Sequence, residues 1–203
     1  MSGGIDDNQK VSLILKNPSL VDFEFTGMLQ PLSQDKGVVF PYTPTIGFGH
    51  AANYGDYTAP HSLYQPQFYA NTVNPTIGIT ATFTANNFEE AKHTAACLHF
   101  FKSLTKADFG VASGQRAGTP PPICRFNAYG ILHAQNVPVV VASVNYNLTE
   151  DVDYVQVNDF SVPASLLITL DLRVQQSPIK VRDNFNVKSY RSGALLRGGK
   201  GFI

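Results

Sequence analysis

One stretch near the middle of the chain repeats its apolar residues at helical spacing. These residues form a single stripe on a 3.6-residue helix: Phe88, Ala91, Ala95, Leu98, Phe101 and Leu104. Asn86 and Glu89 have the spacing of a capping box, which satisfies free N–H groups at a helix start. Lys102 and Gly110 are typical of a helix end. The pattern therefore predicts one α-helix over about residues 86–108.

Two adjacent phenylalanines make this helix more than a simple amphipathic surface helix. Phe100 and Phe101 point about 100° apart on a helix, so apolar surface must meet it on more than one side. Either the helix is enclosed by its own domain, or a neighbouring chain covers part of it.

Alternating apolar and polar residues predict strands before and after the helix. Residues 11–15 and 21–25 alternate on either side of a turn at 17–19, which predicts a hairpin. Further strands are predicted at 76–85, 123–130, 137–148 and 164–174. The VVV and LLI runs in the last two strands predict burial on both faces.

Prolines and aromatic residues dominate the region between the first strands and the helix. Pro41 and Pro44 cannot donate ladder hydrogen bonds, so the first half of the extended segment 38–50 must lie at an edge or a bulge. Residues 51–75 are too aromatic for a solvated linker and too interrupted by Gly and Pro for a compact sheet. We interpret them as a long hairpin that packs on something else.

Composition favours an assembly subunit. The chain has 203 residues, of which 43% are hydrophobic and 15% charged, and its formal net charge is zero. Soluble domains typically contain about 25% charged residues, so the low charge predicts a surface partly covered by other protein. Zero net charge gives no electrostatic basis for binding duplex nucleic acid over the whole surface.

The chain contains no internal repeat and no low-complexity linker. We divide it into an N-terminal arm and hairpin (1–36), a core domain (37–175) and a basic, Gly-rich C-terminal strap (176–203). A membrane span and a secretory leader are not expected, since no long apolar run and no charged-then-apolar start occur. Production in the cytosol is expected, with Cys97 and Cys124 reduced and buried.

No residue pattern predicts an enzyme, a metal site or a cofactor. His93 and His99 are six positions apart on the predicted helix, hence on opposite faces. Cys97 is in mid-helix, away from the helix N-terminus that lowers a thiol pKa. The acidic residues Glu150, Asp151 and Asp153 are interpreted as a solvated turn.

The C-terminal strap is strongly basic. Its cations are Lys180, Arg182, Lys188, Arg191, Arg197 and Lys200, against the single acidic residue Asp183. A free tail, an acidic protein neighbour and nucleic acid are all compatible with this charge. A protein neighbour is favoured because Leu195, Leu196, Phe202 and Ile203 supply apolar anchors.

Four blocks in one order carry a resemblance to a known family. They are VVFPYTPTIGFGHAANY, FTANNFEEAKHTAACLHFFKSLTKADFG, GTPPPICRFNAYG, and VPVVVASVNYNLTEDVDYVQV followed by VPASLLITLDLRV. Together, over about residues 30–175, they resemble the T4-type tail-tube initiator and tube-junction proteins in the baseplates of contractile-tailed bacteriophages.

The resemblance implies a mainly β fold of the tail-tube type. This is a β-sandwich or partial barrel with one packed α-helix and long hairpins that join in a hexameric β-barrel ring. Closing a ring also removes the exposed sheet edges that isolated hairpins would carry. The residues expected at subunit contacts are Phe40, Tyr42, Tyr54, Tyr57, Tyr64, Phe68 and Tyr69.

The implied function is structural and non-enzymatic. A homohexameric ring in the virion baseplate, assembled in the host cytoplasm, would join the hub to the tail tube and initiate tube assembly. Its expected partners are the tail-tube protein, the hub or spike protein and wedge components. The tape-measure protein and DNA would pass through the central channel without sequence-specific binding.

Two alternatives stay open. An ordinary tail-tube subunit would have the same fold but would stack in many rings. A β-sandwich module that binds carbohydrate or a host surface would use Tyr54, Tyr57, Tyr64 and Tyr69 as a sugar-stacking platform, although the chain has no Trp.

Overall fold

The computed structural model describes residues 10–18, 23–58, 60–107, 118–148, 150 and 152–200. Its strands are β1 (Ser12–Ile14), β2 (Gly37–Val39), β3 (Thr45–Asp56), β4 (Gln67–Thr84), β5 (Cys124–Ala128), β6 (Ala134–Asn147), β7 (Tyr154–Val157), β8 (Phe160–Pro163) and β9 (Ser165–Val174). Its α-helices are α1 (Phe88–Ser103), α2 (Pro178–Asn184) and α3 (Val187–Arg191), and 3₁₀ helices span Gly27–Leu32 and Ala194–Gly199. The fold is mainly β, as predicted. One packed α-helix was expected in the whole chain, but short helices also form in the C-terminal strap.

A seven-stranded antiparallel sheet is the centre of the fold. Its strand order is β2-β1-β5-β6-β9-β4-β3, and β7 and β8 form a separate hairpin. Helix α1 packs against one face of the large sheet, and the β7–β8 hairpin packs against α1, so no second sheet completes a sandwich in the described part of the chain. Because β2 and β3 are edges, the described sheet is open and not a closed barrel.

Alternation along the strands decides which face is buried. Ile77, Ile79, Ala81 and Phe83 of β4 are buried, as predicted from their period of two. The prediction that β9 is buried on both faces is wrong, because Leu167 is 52% exposed between buried neighbours. An apolar run looks the same in a strand that is buried on both faces and in a strand whose exposed face happens to carry a leucine.

The predicted N-terminal hairpin between 11–15 and 21–25 is also wrong. Strand β1 pairs with β2 and β5, and residues 23–26 are not in a strand; residues 19–22 lie outside the described residues. The alternation within β1 is as predicted, since Val11, Leu13 and Leu15 are buried. The pairing partners are distant in sequence, so a local pattern could not identify them.

Helix α1 begins one residue later than the predicted capping box. Asn87 is the N-cap, and its side chain accepts a hydrogen bond of 2.9 Å from the Glu90 N–H. The Glu90 carboxylate in turn accepts from the Asn86 N–H and the Asn87 amide. The reciprocal capping that was predicted is therefore present, shifted by one position from Asn86 and Glu89.

The buried face of α1 is broader than the predicted stripe. Cys97, Phe100, Phe101 and Leu104 are fully buried, whereas Phe88 is exposed. Both adjacent phenylalanines are enclosed by this chain. The Phe100 ring lies 5.5 and 6.0 Å from the rings of Phe23 and Phe25, and the Phe101 ring lies 6.0 and 6.2 Å from those of Phe40 and Phe83.

Candidate assembly interface

Strands β3 and β4 extend beyond the sheet as a two-stranded arm. β4 pairs with β9 only from Thr76 to Thr84, whereas it pairs with β3 from Gln67 onward. The strand predicted to begin at residue 76 thus begins nine residues earlier. The β3–β4 register shifts between Gly49 and Ala51, where Asn74 and Pro75 both lie opposite His50, so Pro75 falls in a β-bulge, where proline is tolerated. We call residues 50–75 the arm.

The arm holds its aromatic residues in ordered but solvent-exposed positions. Tyr54 and Tyr69 are cross-strand partners whose rings meet edge to face at 6.1 Å. The Phe68 ring lies over its partner Gly55, where an added Cβ would come within 2.7 Å of the ring. The exposed fractions of Tyr54, Phe68 and Tyr69 are between 57% and 61%. These rings are pre-positioned contact groups with little to pack on in the single subunit.

The remaining predicted contact residues differ in their surroundings. Tyr57 and Tyr64 are exposed in the connection between β3 and β4, at the tip of the arm. Tyr42 is half exposed, and its hydroxyl hydrogen-bonds the Thr84 hydroxyl at 3.0 Å. Phe40, in contrast, is 4% exposed and packs in the core, so it is not available to another subunit. Phe40, which precedes Pro41, was expected at a subunit contact but packs in the core of its own chain.

Four strands of the sheet, β6-β9-β4-β3, form a unit with two open edges. β3 is the last strand of the sheet. On the other side, β5 pairs with β6 only as far as Val139, and no described strand pairs with that side of β6 beyond it. Residues 140–147 of β6 and 45–56 of β3 therefore present backbone groups to a further strand. The 3₁₀ helix Ala194–Gly199 packs against β6, so the β6 edge is open in that no described strand pairs with it beyond Val139, not in that nothing packs on this strand.

The face of this four-strand unit that is turned away from the core is small and polar. Side-by-side residues from the four strands form rows across it, such as Thr45, Thr80, Thr169 and Asn145. The next row holds Gly47, Gly78, Asp171 and Ser143, in which the Ser143 hydroxyl donates to the Asp171 carboxylate at 2.8 Å. The signal of this face in the sequence is the set of threonines at alternate positions of 76–85.

The C-terminal strap carries its cations on short exposed helices. Neither α2 nor α3 buries a residue. Lys180, Arg182, Lys188 and Arg191 are exposed, while the Arg197 side chain lies outside the described residues. The strap is held at Leu195, which is buried.

An apolar groove lies between α1 and the β7–β8 hairpin. It has a volume of about 350 Å³ and is lined by Met28, Leu98, Tyr146, Leu148, Phe160 and other residues. The Lys102 ammonium in this groove lies 4.5 Å from the centre of the Tyr146 ring. That cation is already engaged by an aromatic face.

The polar and sulfur groups near α1 are arranged for packing. Burial raises the pKa of the Cys124 thiol to about 12 and raises the pKa of Cys97 further. Burial also lowers the pKa of His93, whose ring nitrogens lie 3.7 and 3.8 Å from the Cys97 sulfur. A thiol held protonated in this way is a poor nucleophile.

The described residues contain no group of three His, Cys, Asp or Glu side chains that could hold a metal ion. Among them there is also no helix long and apolar enough to cross a membrane.

Comparison with known proteins finds similarity among solved structures only. No protein-family model matches the chain, and no curated protein matches it. Among solved structures, a similar chain comes from the tail of an empty GTA particle, computed with helical refinement and C6 symmetry. The two chains are 11% identical, with a TM-score of 0.35, and the alignment covers 86% of this chain and 96% of that one.

Proposed function

We propose that this chain is a structural subunit of a bacteriophage tail, which closes into a hexameric ring around a DNA channel. In the baseplate, such a ring joins the hub to the tail tube and initiates tube assembly. The observation that carries this proposal is the four-strand unit with an open edge on each side. The baseplate position and the number of six subunits come from the sequence resemblance.

Strand direction supports closure of the ring. All neighbours in the β6-β9-β4-β3 unit are antiparallel, so β3 and β6 run in opposite directions. In a ring with a rotation axis along the strands, β3 of one copy meets β6 of the next in antiparallel orientation. Six copies would supply about 24 strands, and barrels of about 16 to 18 strands already leave an aqueous channel.

The small polar face supplies a suitable channel wall. Its threonines, serines, asparagines and glycines offer hydroxyl and amide groups with few charges, of which Asp171 and Arg173 have opposite sign. Such a wall stays hydrated and offers no basic patch that would retain DNA by its phosphates. The opposite face is occupied by the core, so this face is the one that can line the channel.

The arm supplies the contacts between subunits. A two-stranded hairpin without further packing is marginally stable in water, and the exposed rings of this one predict a partner surface. Neighbouring arms placed side by side would bury Tyr54, Phe68 and Tyr69 and continue the sheet beyond the subunit core.

Mass measurement of the purified chain, followed by negative-stain imaging, tests the proposal. A monomer that forms one ring, and tubes only when tail-tube protein is added, is the result expected for an initiator. A monomer that neither forms rings nor nucleates tubes would contradict the ring-forming function.

The ordinary tail-tube subunit is a second candidate, favoured by the opposite charges of the two ends of the molecule. The strap at one end of β9 is basic, and the other end carries Glu150 and Asp153 just before the β7–β8 hairpin and Asp159 in its turn. Complementary ends suit a subunit that stacks on itself, and long tubes from this chain alone would establish that function.

The carbohydrate-binding alternative makes a separate prediction. Its tyrosine platform would bind glycans as an isolated monomer, and replacement of Tyr54, Tyr57, Tyr64 and Tyr69 by alanine would abolish binding on a glycan array. In the structure, Tyr54 and Tyr69 meet edge to face and are therefore not coplanar. A flat sugar-stacking surface is thus not formed by this pair.

A further inference from the structure

Charge is segregated along this chain although its net charge is zero. Residues 176–203 hold six of the 15 Lys and Arg but only one of the 15 Asp and Glu, so this segment has a formal charge of +5 and the remainder −5. Between Arg125 and Arg173 there is no Lys or Arg, while five Asp and Glu occur. The sequence thus separates a basic strap from an acidic region within the core domain.

The fold places Glu150, Asp153 and Asp159 of this acidic region at the end of β9 opposite the strap. The strap follows Val174, and the β7–β8 hairpin ends just before Ser165. At ~3.3 Å per residue, a strand of this length separates its ends by roughly 30 Å. The first turn of α1, with Glu89 and Glu90, is at the hairpin end, because Thr84 pairs with Ser165.

The strap helices need a covering surface. α2 has seven residues and α3 has five, and isolated helices shorter than about 12 residues are marginal in water. They expose the apolar side chains Ile179, Phe185, Val187 and Tyr190. The ion pair within the strap joins Arg182 to its neighbour Asp183 at 2.9 Å, and both side chains are largely exposed. Such a pair contributes little stability.

The acidic end offers the matching surface. Glu150, Asp153 and Asp159 are exposed there, and so are the apolar side chains of Leu148 and Tyr154. Leu148 also lines the groove between α1 and the hairpin. The two surfaces therefore complement each other both in charge and in apolar content.

We propose that the strap of one copy docks on the acidic end of a second copy, which we define as the β7–β8 hairpin, Glu150 and Asp153 before it, and the adjoining groove. The separation across β9 favours a second copy over the strap's own subunit. A head-to-tail contact of this kind is heterologous and orders successive rings in one direction. The inference rests on the second candidate function proposed above, a tail-tube subunit that stacks on itself, and identifies its stacking contact.

Site-directed cross-linking of full-length chains tests the contact. One preparation carries Ile179→Cys in the strap and the other Tyr154→Cys in the hairpin, and the two are mixed with a bis-maleimide. Native Cys97 and Cys124 are fully buried, so the introduced thiols react selectively. A cross-linked dimer is expected in the mixture at several-fold higher yield than in either preparation alone.

Three controls define specificity. Leu132→Cys, exposed in the turn before β6, replaces Tyr154→Cys as a matched acceptor away from the acidic end. Arg182→Glu with Lys188→Glu in the strap preparation should reduce the yield several-fold, since both cations are exposed and their reversal leaves the core intact. Raising salt from about 0.05 to about 0.5 M should also reduce it, because the Debye length shortens.

A yield no higher than with Leu132→Cys, or one insensitive to charge reversal, would overturn the proposal. Binding of labelled single-stranded DNA that is lost on charge reversal, without cross-linking, would overturn it in favour of a nucleic-acid site. If rings form but the cross-link does not, the ring-forming function stands and the docking of the strap is refuted. If the cross-link forms but rings form in no condition, the docking stands and the ring-forming function is refuted.

Discussion

Because exposure alternates along β9, leucines of the same strand differ in burial. Leu170 is fully buried in the main core, whereas Leu167 is half exposed on the polar face. Replacement of Leu170 by alanine leaves a cavity and should lower the free energy of unfolding by about 2–5 kcal/mol. The matched change Leu167→Ala should alter it by less than about 0.5 kcal/mol.

Chemical denaturation of the monomeric chain measures both free energies. Equal effects of the two substitutions would mean that β9 is covered on both faces, as the LLI run alone suggested.

His93 links stability to pH. Its pKa is held below the ordinary 6.5, mainly by burial, while the Asp35 charge opposes the shift. The unfolded chain therefore binds a proton at this histidine more readily than the folded chain does, so stability should fall as pH decreases through 6.5. His93→Gln removes this contribution, and the wild type should lose more stability than the variant between neutral and mildly acidic pH.

Denaturant midpoints of both proteins across this pH range provide the measurement. Other groups titrate equally in the two proteins, so the difference isolates His93. Parallel pH profiles would show that its environment does not disfavour the charged ring.

At the scale of elements, substitutions in the arm should affect ring assembly without affecting the stability of the core. Tyr54 and Tyr69 pair on its exposed surface and contribute nothing to the main core. The double change Tyr54→Ser and Tyr69→Ser should leave the unfolding midpoint of the core nearly unchanged, because surface substitutions usually cost little. Ring formation, measured by solution mass, should be lost because the contact groups between subunits are removed.

Leu132→Ser is the matched control for the arm, since Leu132 is also largely exposed but lies in the turn before β6. Retained rings in the tyrosine variant would show that the arm is not the subunit contact. Loss of rings in both variants would point to a general effect of surface polarity.

At the scale of the whole molecule, the position of the polar face is directly observable. Thr82 lies on this face and is exposed, and native thiols are buried. A gold-maleimide label on Thr82→Cys should appear at the centre of ring images, since the proposed channel wall is formed by this face. The same label on Leu132→Cys should appear away from the centre.

Central density in negative-stain or cryo-electron micrographs distinguishes these outcomes. A peripheral Thr82 label would reverse the assignment of the sheet faces and remove the polar rows from the channel wall.

Local features were predicted from sequence with varying success. The core face of β4 followed from period-two alternation, and the helix position followed from its apolar spacing and capping chemistry. The cap itself fell at Asn87 and not Asn86, because two adjacent asparagines have the same capping chemistry. Phe40 was assigned to the surface because its proline-rich surroundings gave no sign of the ring cluster that encloses it.

The sequence by itself determined the mainly β character, the helix, the long aromatic hairpin and the basic strap, since these depend on spacing and composition within short segments. Tertiary structure alone decided that β1 pairs with β2 and β5, and that no described strand pairs with one side of β6 beyond Val139. It also decided that the strap lies at the end of β9 opposite Glu150, Asp153 and Asp159. Such features depend on pairings between distant segments. Backbone hydrogen bonds are alike for every residue, so only the packed core fixes which strands meet.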